Sequence, residues 1–321
     1  MFNTVKRILV VCCALALVAA LCACGLAEGA PVRVVALKGP TAMGLVKLMK
    51  DDETAGAYDF TIAAAVDEVT PMLVKGEADI ACVPANLASV LYNNTEGAVR
   101  VIAINTLGVL YIVENGDSVH SVKDLAGRTI YASGKGATPE FALNYILSGN
   151  GIDPEQDVTI EWKSEHAECL NALLADESGI AMLPQPFVTT AQMKAEGLRV
   201  ALDLTAEWDA LGADSSMITG VAVARSAFID ENPDAVGAFL DGYRASVEYV
   251  NANTDDAAAL VGGYDIVPEP VAKAALPACN ITFIEGDEMR EKLSGYLAVL
   301  FDAEPKSVGG KLPEDDFYFK R

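Results

Sequence analysis

The sequence predicts a mixed α/β protein built as two similar lobes, and three observations carry that reading. Short β-rich runs alternate with amphipathic helical stretches over most of the chain, the pattern of mostly parallel sheets covered on both faces. A nine-residue segment recurs 100 residues further on. The chain is also long for one core: with residues 1–23 set aside, 298 of 321 remain, and two domains are the default at that size.

The first 23 residues are set aside for a reason. Lys6 and Arg7 form a short basic start, and residues 8–23 carry no charge. Sixteen uncharged residues are marginal for a bilayer, which asks for ~20, whereas a basic start, a short apolar run and small residues at the exit describe a secretory signal. The ending Leu21-Cys22-Ala23-Cys24-Gly25 resembles the lipobox of bacterial lipoproteins. That resemblance implies a lipidated Cys24 as the first mature residue, a tether over 24–30, and an extracytoplasmic, membrane-anchored protein at the cell surface or in the periplasm. An uncleaved anchor helix and a simple secreted protein are the alternatives.

After the tether, residues 33–37, 60–64, 80–83 and 99–104 read as strands, with helices at 42–49, 69–75 and 85–92 between them. The alternation resumes with strands at 129–132, 158–162, 180–182 and 200–202 and helices at 139–147, 165–174 and 187–195. After residue 230 the pattern turns helical, at 233–250, 254–261, 269–275 and 287–301; only the tether and the tail after Pro305 look irregular.

The signal holds two cations and no acid, so the mature chain moves from the full-length charge of −22 to −24. Such a chain is repelled by nucleic acid and by anionic lipid heads, and nucleic-acid binding is set aside. Of seven cysteines, Cys12, Cys13 and Cys22 leave with the signal and Cys24 takes lipid. Cys82, Cys169 and Cys279 remain, scattered and without a CxxC, so they form neither a disulfide framework nor a zinc site and read as buried small hydrophobes.

The repeat gives the two-lobe expectation its physical content. Gly76-Glu77-Ala78-Asp79-Ile80-Ala81-Cys82-Val83-Pro84 is matched by Asp176-Glu177-Ser178-Gly179-Ile180-Ala181-Met182-Leu183-Pro184, with four identities in nine positions. Each follows an amphipathic helix and ends in a proline loop at the carboxyl end of a buried strand. Ligands of open α/β sheets bind beyond those strand ends. Two such lobes facing each other set Pro84-Ala85-Asn86 and Pro184-Gln185-Pro186 across one cleft.

Four segments make a family resemblance specific: Gly76-Glu77-Ala78-Asp79-Ile80-Ala81, Ser121-Val122-Lys123-Asp124-Leu125-Ala126-Gly127-Arg128, residues 228–235, and Gly309-Gly310-Lys311-Leu312-Pro313-Glu314-Asp315-Asp316-Phe317-Tyr318. In these the chain resembles the solute-binding proteins of ABC importers, in the nitrate/sulfonate/taurine group that also includes thiamine-precursor binders. The resemblance spans nearly all of 31–321 and names no ligand. It implies the type II periplasmic-binding-protein (Venus flytrap) fold: lobe 1 from 31–107 plus 219–321, lobe 2 from 108–218. The crossings fall near 106–113 and 217–224, as two extended runs lying side by side in a hinge. Lobe closure around a ligand is a standard motion of this architecture.

The chemistry of the cleft is read from its loops. Ser133-Gly134-Lys135-Gly136-Ala137-Thr138-Pro139 follows a strand and opens a helix, with Thr138 expected at the N-cap and Pro139 at N1. Glycines allow close backbone approach, free N–H groups at a helix start favour an anion, and Lys135 adds a charge. An ordinary strand-to-helix turn accounts for the same residues without a ligand. Facing it, Lys38-Gly39-Pro40-Thr41-Ala42 makes the same kind of entry, with a Thr-capped turn as the plain alternative. Asn86 and Asn105 offer polar contacts, although Asn86 also suits a helix cap. Candidate ligand contacts are therefore Gly39, Pro40, Thr41, Ala42, Asn86, Asn105, Lys135, Gly136, Ala137, Thr138, Pro184 and Gln185. Tyr111, Tyr131, Trp162 and Trp208 are available as cleft walls but read more naturally as packed core.

Catalytic readings are weaker. His120 and His166 are the only histidines, and in Glu165-His166-Ala167-Glu168 the His and Glu two apart point to different helix faces, which suits a solvated helix start better than a metal. GxSxG, HExxH, a P-loop and a dinucleotide fingerprint are all absent. The expectation is a non-enzymatic, monomeric capture protein without a cofactor, taking a small, anionic organic solute to a permease and its ATPase. The alternatives are a ligand-sensing module, or an enzyme of the eukaryotic pyrimidine-precursor-synthase kind; the latter needs a cysteine-rich cluster and a sacrificial histidine, neither evident in the sequence.

Overall fold

The computed structural model describes residues 30–212 and 215–321. The signal segment, Cys24 and nearly all of the tether lie outside those residues. Among the described ones, no helix is long and apolar enough to cross a membrane.

The chain begins with β1 (Val32–Leu37), α1 (Pro40–Met43), α2 (Val46–Asp52), β2 (Tyr58–Ala63), α3 (Val66–Val74), β3 (Ile80–Pro84), α4 (Ala85–Asn94) and β4 (Val99–Leu107). It continues through β5 (Leu110–Asn115), β6 (Thr129–Ser133), α5 (Thr138–Gly149), β7 (Thr159–Lys163), α6 (His166–Ala175), β8 (Ile180–Pro184), α7 (Phe187–Lys194), β9 (Leu198–Asp203) and α8 (Leu204–Asp209). The last third holds β10 (Ile218–Arg225), α9 (Ser226–Glu231), α10 (Pro233–Ala252), α11 (Thr254–Gly263), α12 (Glu269–Ala275), β11 (Ile281–Ile284) and α13 (Gly286–Ala303).

These strands form two sheets, ordered β11-β4-β10-β3-β1-β2 and β7-β6-β8-β5-β9. The βαβ units are parallel, as the alternation predicts: β1 with β2 and β3, β6 with β7 and β8. The antiparallel pairings are those of β10 with β3 and β4 in the first sheet and of β5 with β8 and β9 in the second, each the strand by which the chain enters from the other sheet, and that of β11 with β4. The two crossing runs lie side by side only in part. Ile218 faces Leu107 and Gly220 faces Thr106, but beyond Gly108 the first run leaves for the second sheet, where Leu110–Asn115 pairs with β8 and β9. Gly108 is needed at that exit, because a Cβ there would stand 2.0 Å from the Thr205 hydroxyl and 2.4 Å from Met217.

Two differences from the sequence reading have clear causes. The helix expected at 42–49 is broken at Gly44-Leu45. Ser246 of α10 inserts there, its hydroxyl donating to Gly44 O at 2.7 Å and accepting from Leu48 N at 3.0 Å, so a side chain takes over groups the helical ladder would have used. The short strand β11 went unread because four residues with a single buried position show no period.

The motifs behind the family resemblance are mostly structural. Asp79, 4% exposed, accepts from the Arg33 backbone at 3.1 Å, from Arg33 Nε and Nη2 at 2.9 and 2.6 Å, and from Arg225 Nη2 at 2.7 Å, tying β1, β3 and β10 at their shared edge. Burial opposes its ionisation, but the two guanidinium groups outweigh burial and hold the carboxyl below its usual range. The second copy of the repeat keeps the strand and changes the chemistry. Gly179 replaces Asp79, because a Cβ there would meet Asp176 and the Leu173 carbonyl at 3.1 Å. The buried carboxylate of the second sheet is Glu114 instead, 1% exposed, bonded by Ser118, the Val119 N–H and Arg199. Ser121 and Asp124 close a capping box on a 3₁₀ turn leading into β6.

A core cluster runs through both sheets. At its centre Trp208 of α8 is fully buried, with the Tyr145 ring of α5 at 4.3 Å and the Tyr296 ring of α13 at 5.6 Å.

Candidate ligand cleft

Four loops gather at the carboxyl ends of β1, β3, β6 and β8. In the first, Gly39 holds φ 125° as the N-cap of α1, with open space where a Cβ would stand. Thr41 is therefore inside the helix and not its cap; its hydroxyl donates to Leu37 O at 2.9 Å. Pro40 at N1 sets this register, since it needs no N–H partner and has the helical φ. Thr41 and Ala42 are buried. A Cβ on Gly220 would stand 2.5 Å from Asn105 Oδ1 and 2.6 Å from the Thr41 methyl, so β10 must be bare where it passes these two residues.

Asn105 is 1% exposed. Its Oδ1 accepts from the Thr106 hydroxyl at 3.0 Å, while its Nδ2 is buried without a partner. Cys82 and the Tyr243 hydroxyl lie beside it, 3.9 Å from one another; burial pushes the Cys82 thiol up to about 12. The three described cysteines Cys82, Cys169 and Cys279 are buried and unbridged.

The Ser133–Pro139 loop is organised differently from the sequence reading. The N-cap is Ala137, with Thr138 at N1 and Pro139 at N2, so the helix starts one place earlier than expected. The N–H groups are not all free for an anion. Gly136 N–H donates to the Glu140 carboxylate at 2.5 Å and Ala137 N–H to Gly134 O at 3.1 Å. The acidic side chain one turn into α5 has reached back to its own helix start, where the backbone dipole favours it. Lys135 is exposed and pairs with no acid among the described residues. Gly134 and Gly136 hold φ 85° and 76°, and Pro139 would collide with a Cβ on Gly134 at 2.7 Å.

On β8, Pro184 is half-buried and Gln185 5% exposed. The Gln185 carbonyl oxygen accepts from the Thr189 N–H and hydroxyl at 3.3 and 2.9 Å, and its backbone N–H donates to Val109 O at 2.9 Å, beside the first crossing. Asn86 does not cap its helix. Its Oδ1 accepts from the Thr138 hydroxyl at 3.1 Å and its Nδ2 donates to Ser307 O at 3.3 Å. Asn86–Thr138 is the direct bond among the expected site residues that joins an element of one sheet to an element of the other. Thr41 and Asn105 form a second group through Gly220, and no hydrogen bond links Lys135 to either.

His166 is not the solvated helix start that its sequence context suggests. It is half-buried, with Nδ1 at 2.5 Å from the Ser133 hydroxyl and its ring 5.2 Å from Phe187. Desolvation lowers its pKa, so it is neutral at pH 7. The signal that would have found it is positional: His166 opens the helix after β7, as Thr138 does after β6 and Phe187 after β8. Among the described residues no His, Cys, Asp and Glu grouping suits a metal ion. The aromatic candidates divide. Trp208 is core, Tyr111 is 8% exposed with its hydroxyl on Ala278 O at 3.1 Å, Tyr131 bonds Asp176 at 3.1 Å, and Trp162 packs half-buried against the core.

A cavity of about 950 Å³ opens next to the Asn86–Thr138 bond, between α5 and the end of α13, with Gly136, Phe141, Tyr145, Val299 and Ser307 among its lining. Glu140, Glu155, Asp302 and Glu304 also border it, against the single cation Lys306. That balance disfavours an anion in this cavity.

The family model described as NMT1/THI5 like matches residues 59–257. Among solved structures, an ABC transporter protein from Parabacteroides distasonis is 22% identical with a TM-score of 0.78, covering 91% of this chain and 100% of that one. The periplasmic aliphatic sulphonate-binding protein of Escherichia coli is 14% identical with a TM-score of 0.73, covering 91% and 93%. The periplasmic nitrate-binding protein of Synechocystis is 12% identical with a TM-score of 0.56, covering 76% and 69%. No curated protein sequence matches the chain. At these identities the structural likeness shows the fold.

Proposed function

The chain belongs to the NMT1/THI5-like family, whose model spans residues 59–257, and from that premise we propose that it is the solute-binding component of an ABC importer. It captures a small organic solute bearing an acidic group and hands it to a membrane permease. The observation that carries the reading is the meeting of two sets of strand ends, with helix α4 of one sheet bonded to helix α5 of the other through Asn86 and Thr138. A ligand seated there touches both sheets at once, as capture by closure requires. Residues 31–107 with 219–321 form one lobe and 108–218 the other. Gly39, Thr41 and Ala42 line one wall of the seat; Lys135 to Thr138, Pro184, Gln185 and His166 line the other. Lys135 supplies the full positive charge, and Ser133 holds the neutral His166 ring by its Nδ1.

Native mass spectrometry of protein purified without denaturation tests the reading directly, because a solute retained in the cleft identifies itself by mass. Calorimetry with sulfonates, nitrate and small carboxylates then ranks the class. Binding that favours amines or neutral sugars over every acid overturns the anionic assignment, and turnover of a bound solute overturns the binding role. The anchor has its own test. Only a thiol accepts the lipid, so Cys24→Ser is expected to abolish palmitate labelling and release protein from the membrane; persistent labelling sinks the lipoprotein assignment.

A further inference from the structure

We propose that Asn86 is the closure residue of this cleft, held in register by the C-terminal tail so that its amide oxygen latches Thr138 of the opposite lobe. The inference rests on the two-lobe reading and adds to it what holds the lobes shut.

The amide's orientation follows from its partners. An Asn side chain has a donor end and an acceptor end that sterics alone do not distinguish. Ser307 presents a backbone carbonyl, which only accepts, so the Nδ2 end must face it at 3.3 Å. The Oδ1 end is then left for Thr138, and the Thr138 hydroxyl donates to it at 3.1 Å. The direction of the bond across the cleft is thus dictated by the tail.

The tail is stitched in place along the same helix. Ser89 Oγ donates to Val308 O at 2.7 Å, and Asn93 Nδ2 donates to Val308 O at 2.8 Å and Lys311 O at 2.7 Å. Asn86, Ser89 and Asn93 lie three and four residues apart, on one face of α4. Gly309 turns the tail away with φ 89°, its Cβ position 3.1 Å from Asn93 and Val90. The Tyr92 hydroxyl bonds Asp316 further along. A strap fixed at this many points gives Asn86 one orientation.

The closed arrangement also carries a cost at the same joint. The Tyr296 hydroxyl of α13 is buried beside the Thr138 hydroxyl without a well-formed hydrogen bond. Separation of the lobes would let water reach it. The Asn86–Thr138 bond stands beside other contacts between the lobes, the Tyr111 hydroxyl on Ala278 O and the Trp208–Tyr296 ring pair, and is the one whose direction the tail sets.

Double electron–electron resonance on ligand-free protein tests this, with spin labels on cysteines introduced at exposed Glu77 and Glu196; the described native cysteines are buried. Wild-type protein is expected to show two distance populations, open and closed. Thr138→Val keeps the shape and removes the hydroxyl, and is expected to shift the open-to-closed ratio about fivefold towards open, the factor one neutral hydrogen bond is worth. Thr138→Ser keeps the hydroxyl and is expected to restore the wild-type ratio. Asn86→Ala, which removes the acceptor for the Thr138 hydroxyl, is expected to open the protein as Thr138→Val does. Identical distributions in wild type, Thr138→Val and Thr138→Ser overturn the proposal, and so does a wild type that shows only the open distance. None of these readouts uses a solute. Failure of the import reading would appear in mass spectrometry and calorimetry, and leaves the spin-label result standing.

Discussion

Asp79 and Glu114 show how single residues carry the frame of the cleft. Each is a nearly fully buried carboxylate held by arginine, one per sheet. Removing one partner of such a group leaves the rest uncompensated and costs about 3 kcal/mol, so Asp79→Asn is expected to lower the urea midpoint with an unchanged slope. The pH dependence follows from the depressed pKa of both groups. In acid the unfolded chain takes up these protons first, near pH 4. Their stabilisation is therefore complete above that pH and drains away as pH falls through the lower folded values. His166 adds in the same direction at milder pH: its folded pKa is lowered by burial, so stability declines as pH drops below about 6.5. His166→Gln is expected to flatten that part of a melting-temperature profile; an unaltered slope removes His166 from the account. At the seat itself, Lys135→Ala is expected to weaken binding of an acidic solute about ten- to a hundredfold, the range for a charge-assisted hydrogen bond. Glu140→Gln is expected to strengthen it, because Glu140 now occupies the Gly136 N–H. Calorimetry on the two variants gives opposite signs if the loop is in the site.

The elements were legible where a period ran long enough and illegible where a neighbour intervened. Helices α10 and α13, of 20 and 18 residues, keep one apolar face throughout and were readable to within two residues at each end. The split between α1 and α2 was not, since its cause is Ser246, about 200 residues away. Ser246→Ala strands Gly44 O and Leu48 N where the break persists and is expected to cost about 1–3 kcal/mol, measurable by chemical denaturation; a neutral result would mean that these two groups pair with each other and the helix heals. The helix starts of the site were readable as positions but not as bonds. That a loop with Gly, Thr and Pro opens a helix follows from backbone preferences, whereas the Glu140 carboxylate returning to Gly136 is a choice of rotamer.

At the scale of the molecule, the two-lobe reading predicts motion. Because each wall supplies part of the seat, solute is expected to shift the population towards the closed form and reduce the radius of gyration in small-angle scattering. An unchanged profile at verified saturation would describe a rigid module. The repeat at 76–84 and 176–184 anticipated two equivalent strands, and β3 and β8 are those strands. The resemblance in four motifs anticipated the family, although those motifs mostly stabilise turns and strand edges and do not touch the seat.

What the sequence by itself determined was local in origin: alternation of period 2 and period 3.6, glycine where φ is positive, proline where a helix begins. Each depends on a residue and its near neighbours, and so survives without coordinates. The tertiary structure alone decided the partners. Ser133 with His166, Asn86 with Ser307 and Thr138, and Gly220 against Asn105 join residues 33 to 221 positions apart. Such pairs arise when separate strand ends converge, and sequence spacing carries no record of which side chains will meet there.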